Sequence, residues 1–358
     1  MRSERFKNLL IYGAGLAGQH VHAYLAACGK IVDGFLDRDP ALCKVNSLPV
    51  ASAEQWAKTH EASGTCVVIG VFNPYADMRE IFDHLERLGY GKIVSLVEFV
   101  RHNPDGQPFR YWLVDPRFYE HHANRIAAFR AELADETSRD LLDRIVEFRT
   151  HGDPRCLPLP SECQYFPADL PKWPETLRFI DCGSYTGDTV QALQNAGYRF
   201  EALATFEPNL INYQTLVDNL KHIVGAAHFP CGVSDENRLA GFDPSLGQGG
   251  HLLKEGGEPV VCVRLDDALP GFAPNLIKMD IEGEEPAALC GAKKILSLHR
   301  PHLAISTYHR AEHLWEIGEQ IRSLDLGYSF YIRTHAQISF DTVLYAIASP
   351  HPHFTQES

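Results

Sequence analysis

Two short glycine-rich turns, each between an apolar run and a helix-forming stretch, constrain this chain more than any other feature. The first is Gly13-Ala14-Gly15-Leu16-Ala17-Gly18, after Leu9 to Tyr12; the second is Asp181-Cys182-Gly183-Ser184-Tyr185-Thr186-Gly187-Asp188, after Leu177 to Ile180. A strand that turns through glycine into a helix opens a βαβ unit, and a series of such units requires a parallel sheet. The turns differ chemically. The first has the full GxGxxG spacing, whose amides and helix N-terminus suit a pyrophosphate, whereas the second lacks it and opens with an acid. Two sites with different ligands, in two domains, are therefore expected.

The 358 residues are enough for two buried cores. With 45% hydrophobic and 22% charged residues the composition is that of a soluble globular protein. There is no run of apolar residues long enough to span a bilayer, and the polar stretch Met1 to Asn8 leads directly into a strand, so the expectation is a cytoplasmic protein. The nine cysteines form no CxxC pair, which argues against a zinc ribbon or a disulfide framework; Cys182, Cys231, Cys262 and Cys290 read as small buried side chains. A net charge of −13 disfavours a nucleic-acid partner and remains compatible with a small-molecule substrate.

The expected fold class is α/β, with two Rossmann-like doubly wound domains joined by a helical connector. Residues 1–101 alternate strand and helix: Leu9 to Tyr12, Ala17 to Ala27, Ile31 to Leu36, Cys66 to Val71, Asp77 to Leu88 and Ile93 to Ser95. Residues 102–163 form the connector, with Phe118, Ile126, Phe129, Leu133, Leu141, Ile145 and Phe148 at helical spacing; this exposed element suits an interface, a lid or a homodimer contact. A proline-rich crossing over 152–174 leads into the second domain, 164–358. There the reading places strands at Leu177 to Ile180, Ala202 to Phe206, Ala226 to Val233, Val260 to Val263, Leu276 to Met279 and Pro301 to Ser306. Helices are read at Asp188 to Ala196, Leu210 to Leu220 and Pro286 to Leu298. Tyr328 to Arg333 and Thr342 to Ala348 make a closing antiparallel pair, as in class I methyltransferases. The His351 to His353 tail reads as a frayed end.

A small adenosyl ligand without phosphates needs a glycine turn after the first strand, an acid after the second and an apolar cleft. Gly183 and Gly187 supply the turn. Asp181 is placed to accept from the ligand's ammonium, and Glu207, ending the next strand before Pro208, has two oxygens for the ribose hydroxyls. The alternatives are a helix cap for Asp181, though Asp188 or Thr189 is better placed for that, and a turn residue for Glu207. A general base would come from the ends of the fourth and fifth strands, with Asp280, Glu282 and His309 as candidates. Asp280 and Glu282 also read as Mg²⁺ ligands, or Glu282 to Glu285 as the acidic start of a helix. Gln164, Tyr165 and Phe166 either close over the ligand or seal a core.

The runs Phe179-Ile180-Asp181-Cys182-Gly183, Phe206-Glu207-Pro208-Asn209, Val263-Arg264-Leu265-Asp266-Asp267 and Ile277-Lys278-Met279-Asp280-Ile281-Glu282-Gly283-Glu284-Glu285 resemble the FkbM family of S-adenosylmethionine-dependent methyltransferases. That resemblance covers roughly Gln164 to Ala348 and implies methyl transfer, most often to a hydroxyl of a sugar or a polyketide. It implies that Asp181, Gly183, Tyr185, Thr186 and Gly187 contact the methionine part of the cofactor. Glu207, Pro208 and Asn209 would lie at the ribose and Val233 and Ser234 near the adenine; independently of the resemblance, Asp280, just past Leu276 to Met279 at the ligand-lining end of its strand, is expected to face the methyl end.

At the first turn, Asp37 ends the next strand roughly 20 residues after the glycines, so Gly13, Gly15, Gly18 and Asp37 read as a site for a nucleotide with a diphosphate. No Tyr-x-x-x-Lys run follows, which weakens the alternative of an NAD-linked oxidoreductase or epimerase of a sugar nucleotide. The runs Ile11 to Gly15, Gly34 to Asp37 and Val68 to Pro74 resemble the small domain preceding PglD-type sugar acyltransferases, which implies a nucleotide-sugar ligand or a scaffold that has lost one. A non-catalytic nucleotide-binding protein is the third reading.

Overall fold

The computed structural model describes residues 6–39, 41–104, 109–243, 250–253 and 256–348; the His351 to His353 tail lies outside them. The chain divides into two units. One comprises Met1–Asn124, Asp140–Pro160 and Ala336–Phe340; the other comprises Arg125–Arg139, Ser161–His335 and Asp341–Ser358. The residues read as a connector are thus shared between the two.

The N-terminal unit is built on β1 (Asn8–Tyr12), β2 (Gly34–Leu36), β3 (Lys44–Val45), β4 (Leu48–Ala51), β5 (Thr65–Ile69) and β6 (Lys92–Val94). Their order is β3-β4-β2-β1-β5-β6. All pairings are parallel except β3 with β4. Central β1 and β5 are buried almost throughout, which is why they read as continuous apolar runs rather than alternating ones. The β3–β4 hairpin was not foreseen. Its two-residue loop, Asn46-Ser47, has positive φ at both positions, as a tight hairpin turn requires, but lacks the Asn-Gly signature that would announce it. The glycines of the first turn divide their work: an added Cβ on Gly18 would sit 1.9 Å from Gly13 O, whereas one on Gly15 would meet nothing within 4 Å.

The C-terminal unit contains β7 (Thr176–Cys182), β8 (Arg199–Phe206), β9 (Ala226–Phe229), β10 (Gly232–Val233), β11 (Arg238–Asp243), β12 (His251–Leu253), β13 (Glu258–Val263), β14 (Leu276–Met279), β15 (His302–Ser306), β16 (Tyr328–Thr334) and β17 (Thr342–Ala348). The main sheet has the order β16-β17-β15-β14-β7-β8-β9. Its strands run parallel except β17, which is antiparallel to both neighbours. Strand order reverses between β7 and β14, and the crevice beyond the carboxyl ends of strands at such a reversal is where doubly wound sheets bind ligands. Leu177, Phe179, Val190, Leu203, Leu276 and Tyr345 are among the side chains that fill the core on the sheet.

Three local differences from the sequence reading have physical causes. Ala226 to Val233 is split between β9 and β10, which belong to different sheets. A second sheet, β10-β13-β11-β12, buries Ala240, Phe242, Val260 and Cys262 in its own small core; β11 and β12 carry too few large apolar residues to stand out. The single helix expected over Pro286 to Leu298 is two, Glu285–Gly291 and Lys293–His299, broken at Ala292. Among the described residues no helix is long and apolar enough to cross a membrane.

Gly18→Ala gains about 1 kcal/mol of helix propensity but pushes a methyl into the Gly13 carbonyl, at a cost of roughly 3 kcal/mol. A lowered urea midpoint is expected for Gly18→Ala, with a smaller change for Gly15→Ala. Equal effects would show that the turn does not pack as described.

Candidate active site

Asp181 and Lys278 are directly paired residues on the neighbouring strands β7 and β14. In-register residues of a parallel pair face the same side of the sheet, and here Lys278 Nζ lies 3.1 Å from Asp181 Oδ1. Both are buried. Lys278 Nζ also donates to the carbonyls of Gly183 (2.6 Å) and Cys182 (3.4 Å), and sits 5.3 Å from the centre of the Tyr165 ring. Burial lowers the lysine's pKa, but the carboxylates of Asp181, Asp280 and Asp188 more than offset it, so it is raised and the lysine stays charged. Burial raises Asp181 while Lys278 opposes that shift. Asp181 is therefore the buried counter-ion of Lys278, whose ammonium holds the carbonyls of the turn.

Gly183 and Gly187 both have positive φ, as does Tyr185 between them. A Cβ on Gly183 would fall 1.9 Å from Asp280 O, and one on Gly187 would meet Leu220; packing alone is sufficient reason for glycine at both. The N-cap of the helix Asp188–Asn195 is Gly187, without a side-chain cap, in place of the expected Asp188 or Thr189. Thr186 O accepts from Asn219 Nδ2 at 2.9 Å. The folded turn aims the Tyr185 amide at Glu207, whose Oε2 accepts from it at 2.9 Å, while Oε1 accepts from Asn209 N at 2.9 Å. Asn209, after Pro208, caps the helix Leu210–Leu220. Burial pushes the Glu207 carboxyl up to about 7, against the amide hydrogen bonds that lower it. Each Glu207 oxygen accepts one backbone amide, and the Asn212 side chain is a further donor to the carboxyl.

Beyond β14, Asp280 Oδ2 accepts from Tyr165 OH at 2.7 Å and Oδ1 from Tyr308 OH at 3.4 Å. His309 Nε2 is 3.2 Å from Asp280 Oδ1 and 3.7 Å from Glu282 Oε1; its Nδ1 is 2.8 Å from Glu285 Oε1. Glu285 Oε1 also accepts from the Ile281 amide (2.8 Å), and Oε2 lies 3.4 Å from His313 Nδ1. Burial would lower the His309 pKa, but Glu285, Glu282 and Asp280 raise it to about 10. The ring is an imidazolium at neutral pH and hence a proton donor. Burial, with the nearby Asp280 charge, pushes Asp341 up to about 6.

Asp280, Glu282 and His309, proposed from sequence, thus come together, and Tyr165 joins them. Glu285, Tyr308, His313 and Asp341 were missed. Glu285 looked like a helix-start acid, His313 repeats His309 at the helical spacing of four, and Asp341 had no signal. Asp280, Glu285 and His309 each offer a ligand atom within 4.8 Å of the others. Mg²⁺ favours an all-oxygen set, which this group of two acids and a histidine is not. Val233 and Ser234 are buried, with Ser234 N donating to Val263 O.

At the N-terminal turn, Gly13 has positive φ and Gly15 is the N-cap of the helix Leu16–Ala27, without a side-chain cap. Asp37 Oδ2 accepts from Ala14 N at 2.7 Å and Oδ1 from Asp39 N at 2.9 Å.

The order of the main sheet, with β17 reversed, gives the C-terminal unit a methyltransferase-like fold. More particularly, residues 181–330 match the methyltransferase FkbM domain. The crystal structure of Methyltransferase FkbM from Methylobacillus flagellatus KT superposes with a TM-score of 0.77 at 24% identity, over 95% of this chain and 90% of that one, and so shares the fold. Aeropyrum pernix fibrillarin, in complex with S-adenosyl-L-methionine, gives 0.32 at 10% identity over 50% and 70% of the two chains. Precorrin-6y C5,15-methyltransferase from Geobacter metallireducens GS-15 gives 0.31 at 13% over 48% and 79%. No curated protein matches the chain.

His309 provides a test of the cluster. Its folded pKa, about 10, is above the unfolded 6.5, so the stability it contributes is fully present below pH 6.5 and lost as pH rises through about 10, amounting to a few kcal/mol, order of magnitude. Urea unfolding of the wild type should weaken more between pH 7 and 10 than that of His309→Gln. Parallel pH dependence in the two proteins would dismiss the imidazolium.

Proposed function

We propose that this chain transfers a methyl group from S-adenosylmethionine to a hydroxyl oxygen of a small acceptor, a sugar or a related metabolite. The observation that carries the cofactor assignment is Glu207: a buried carboxyl pushed up to about 7 by burial, at the end of β8 and bonded to the amide of the glycine turn, with no cation within ion-pairing distance among the described residues. Burial outweighs the donors that favour its charged form, and a ribose diol would add two. Glu207 would hold the ribose together with Pro208 and Asn209. The turn Gly183, Tyr185, Thr186 and Gly187 would border the methionine part, and Val233 and Ser234 would back the adenine. Asp181 acts in this reading through Lys278, by fixing the turn.

When bound, the cofactor supplies a sulfonium methyl, whose positive charge disappears as the acceptor oxygen takes it, so a dry cleft favours the reaction. Asp280 is the base in this reading. Its side chain is 22% exposed, against 0% for His309, and it can accept the acceptor's hydroxyl proton while Tyr165 and Tyr308 fix its orientation. His309, already protonated, positions Asp280 and offsets its charge; Glu282 completes the acidic surround. The N-terminal unit would hold a nucleotide or nucleotide-sugar at Gly13, Gly15, Gly18 and Asp37, the open space over Gly15 being the support for this.

Calorimetry with S-adenosylhomocysteine tests the cofactor assignment. Glu207→Gln should weaken binding by about 1–3 kcal/mol, and wild-type affinity should rise as pH passes through about 7 and Glu207 ionises, with Glu207→Gln insensitive. Unchanged affinity in the variant would reject the assignment. Separately, Asp280→Asn should keep the ligand affinity and reduce turnover by roughly 10²-fold or more in a mass-shift screen of hydroxylated acceptors. Full turnover would remove Asp280 as the base.

A further inference from the structure

Tyr165 joins two parts of the candidate site. Its hydroxyl donates to Asp280 Oδ2 at 2.7 Å, and its ring centre lies 5.3 Å from Lys278 Nζ. Its backbone has φ 71°, in the left-handed region that an L side chain rarely adopts. Such a conformation persists only where the surroundings over-determine it. Here both polar groups of the Tyr165 backbone are held by side chains of the C-terminal unit. Tyr165 N donates to Tyr345 OH at 3.0 Å, and Trp173 Nε1 donates to Tyr165 O at 2.7 Å.

The hydroxyl of Tyr345, a buried residue of β17, is committed in turn. It lies 2.8 Å from Nε2 of His335, the residue after β16, and His335 Nδ1 lies 2.9 Å from Ser161 O. A carbonyl oxygen only accepts, so Nδ1 carries a proton. Burial pushes the His335 pKa down to about 4, which leaves the ring neutral at pH 7 and Nε2 an acceptor for Tyr345 OH. The hydrogen bonds therefore all run one way, from Tyr165 N through Tyr345 OH and the His335 ring to Ser161 O. With its one hydrogen given to His335, the Tyr345 oxygen keeps a lone pair turned to Tyr165 N. Without that acceptor the hydroxyl hydrogen is free to rotate, and the anchor of the Tyr165 backbone loosens. Among the described residues Asp280 meets Tyr165, Tyr308 and His309, and neither Tyr345 nor His335 touches it.

We propose that Tyr345 and His335 are positioning residues for methyl transfer: through the backbone of Tyr165 they aim its hydroxyl at Asp280, and the proposal rests on the reading of Asp280 as the base. The reversed strand β17 and the end of β16 thus serve the site at one remove.

The full-length chain is tested by transfer of a tritiated methyl group from S-adenosylmethionine to a panel of monosaccharides, with S-adenosylhomocysteine calorimetry as the measure of the cofactor site. Tyr345→Phe, which loses one hydroxyl, and His335→Leu should each lower kcat roughly 10-fold or more, with the KM for the sugar and the S-adenosylhomocysteine affinity within about twofold of wild type. His335→Gln, whose amide carries both a donor and an acceptor, should recover most of the rate. In a Tyr165→Phe background the hydroxyl to be aimed is gone, so Tyr345→Phe should cost little more, because residues that act through one contact are not additive. Wild-type kcat in Tyr345→Phe and His335→Leu, a His335→Gln protein as slow as His335→Leu, or a fully additive loss in the double variant would overturn the proposal. If Tyr345→Phe fails to fold, His335→Leu against His335→Gln decides it. A wild type that methylates no sugar of the panel, or an Asp280→Asn protein with full turnover, overturns the reading of Asp280 and the proposal with it. Transfer that needs Asp280 but neither Tyr345 nor His335 overturns the proposal alone.

Discussion

The buried ion pair between Lys278 and Asp181 is the interaction on which the C-terminal unit depends. It joins β7 to β14 at the strand reversal, and through the same ammonium it ties down the Gly183 and Cys182 carbonyls. Burying two charges is costly, and hydrophobic replacements of such a pair are often as stable. Its value therefore lies in position. An ammonium with three donors can pin a carboxylate and loop carbonyls together, which a pair of leucines cannot. With Gly183 fixed against Asp280 O, the turn has one course, and that course brings the Tyr185 amide to Glu207.

From the same anchor the chain continues into the acidic cluster. Asp280 stands two residues after Lys278, and the hydroxyls of Tyr165 and Tyr308 converge on it. Glu285 closes the arrangement from beneath, binding the Ile281 amide and His309 Nδ1 with one oxygen and facing His313 with the other. A histidine with carboxylates at both nitrogens is held toward its cationic form. The division of labour between Asp280 and His309 follows from burial and partners rather than from residue type.

Much of the framework was legible because it is written in local patterns. The apolar runs at Leu9, Cys66, Leu177 and Leu276 mark buried parallel strands, and the glycine turns mark where two of them end. What escaped notice depends on long-range placement. The partnership of Lys278 with Asp181 follows from strand register, which the sequence does not print. Glu285 was indistinguishable from any acid at a helix start, and Asp341 enters the cluster only through the fold. The β10-β13-β11-β12 sheet was missed because its inward residues are few, and Leu239 and Val261, paired across β11 and β13, are exposed. His309 was seen, but its proton affinity was not, because that is set by three carboxylates spread over Asp280 to Glu285.

The chain holds its buried cations in contrasting ways. Lys278 lies against Asp181, and Arg333 donates to Asp135 and Asp169, each at 2.7 Å. In both cases the acid comes from another segment, so neutralising the charge also joins parts of the C-terminal unit. Arg149 has aromatic faces and hydroxyls, which stabilise a guanidinium without cancelling its charge. An Arg has no neutral form to fall back on, so among the described residues Arg149 keeps its charge with hydroxyls and rings rather than an acid beside it. Among the described residues, an acid drawn from a distant segment lets a buried cation join parts of the fold, whereas rings and hydroxyls hold one only where the chain already packs around it.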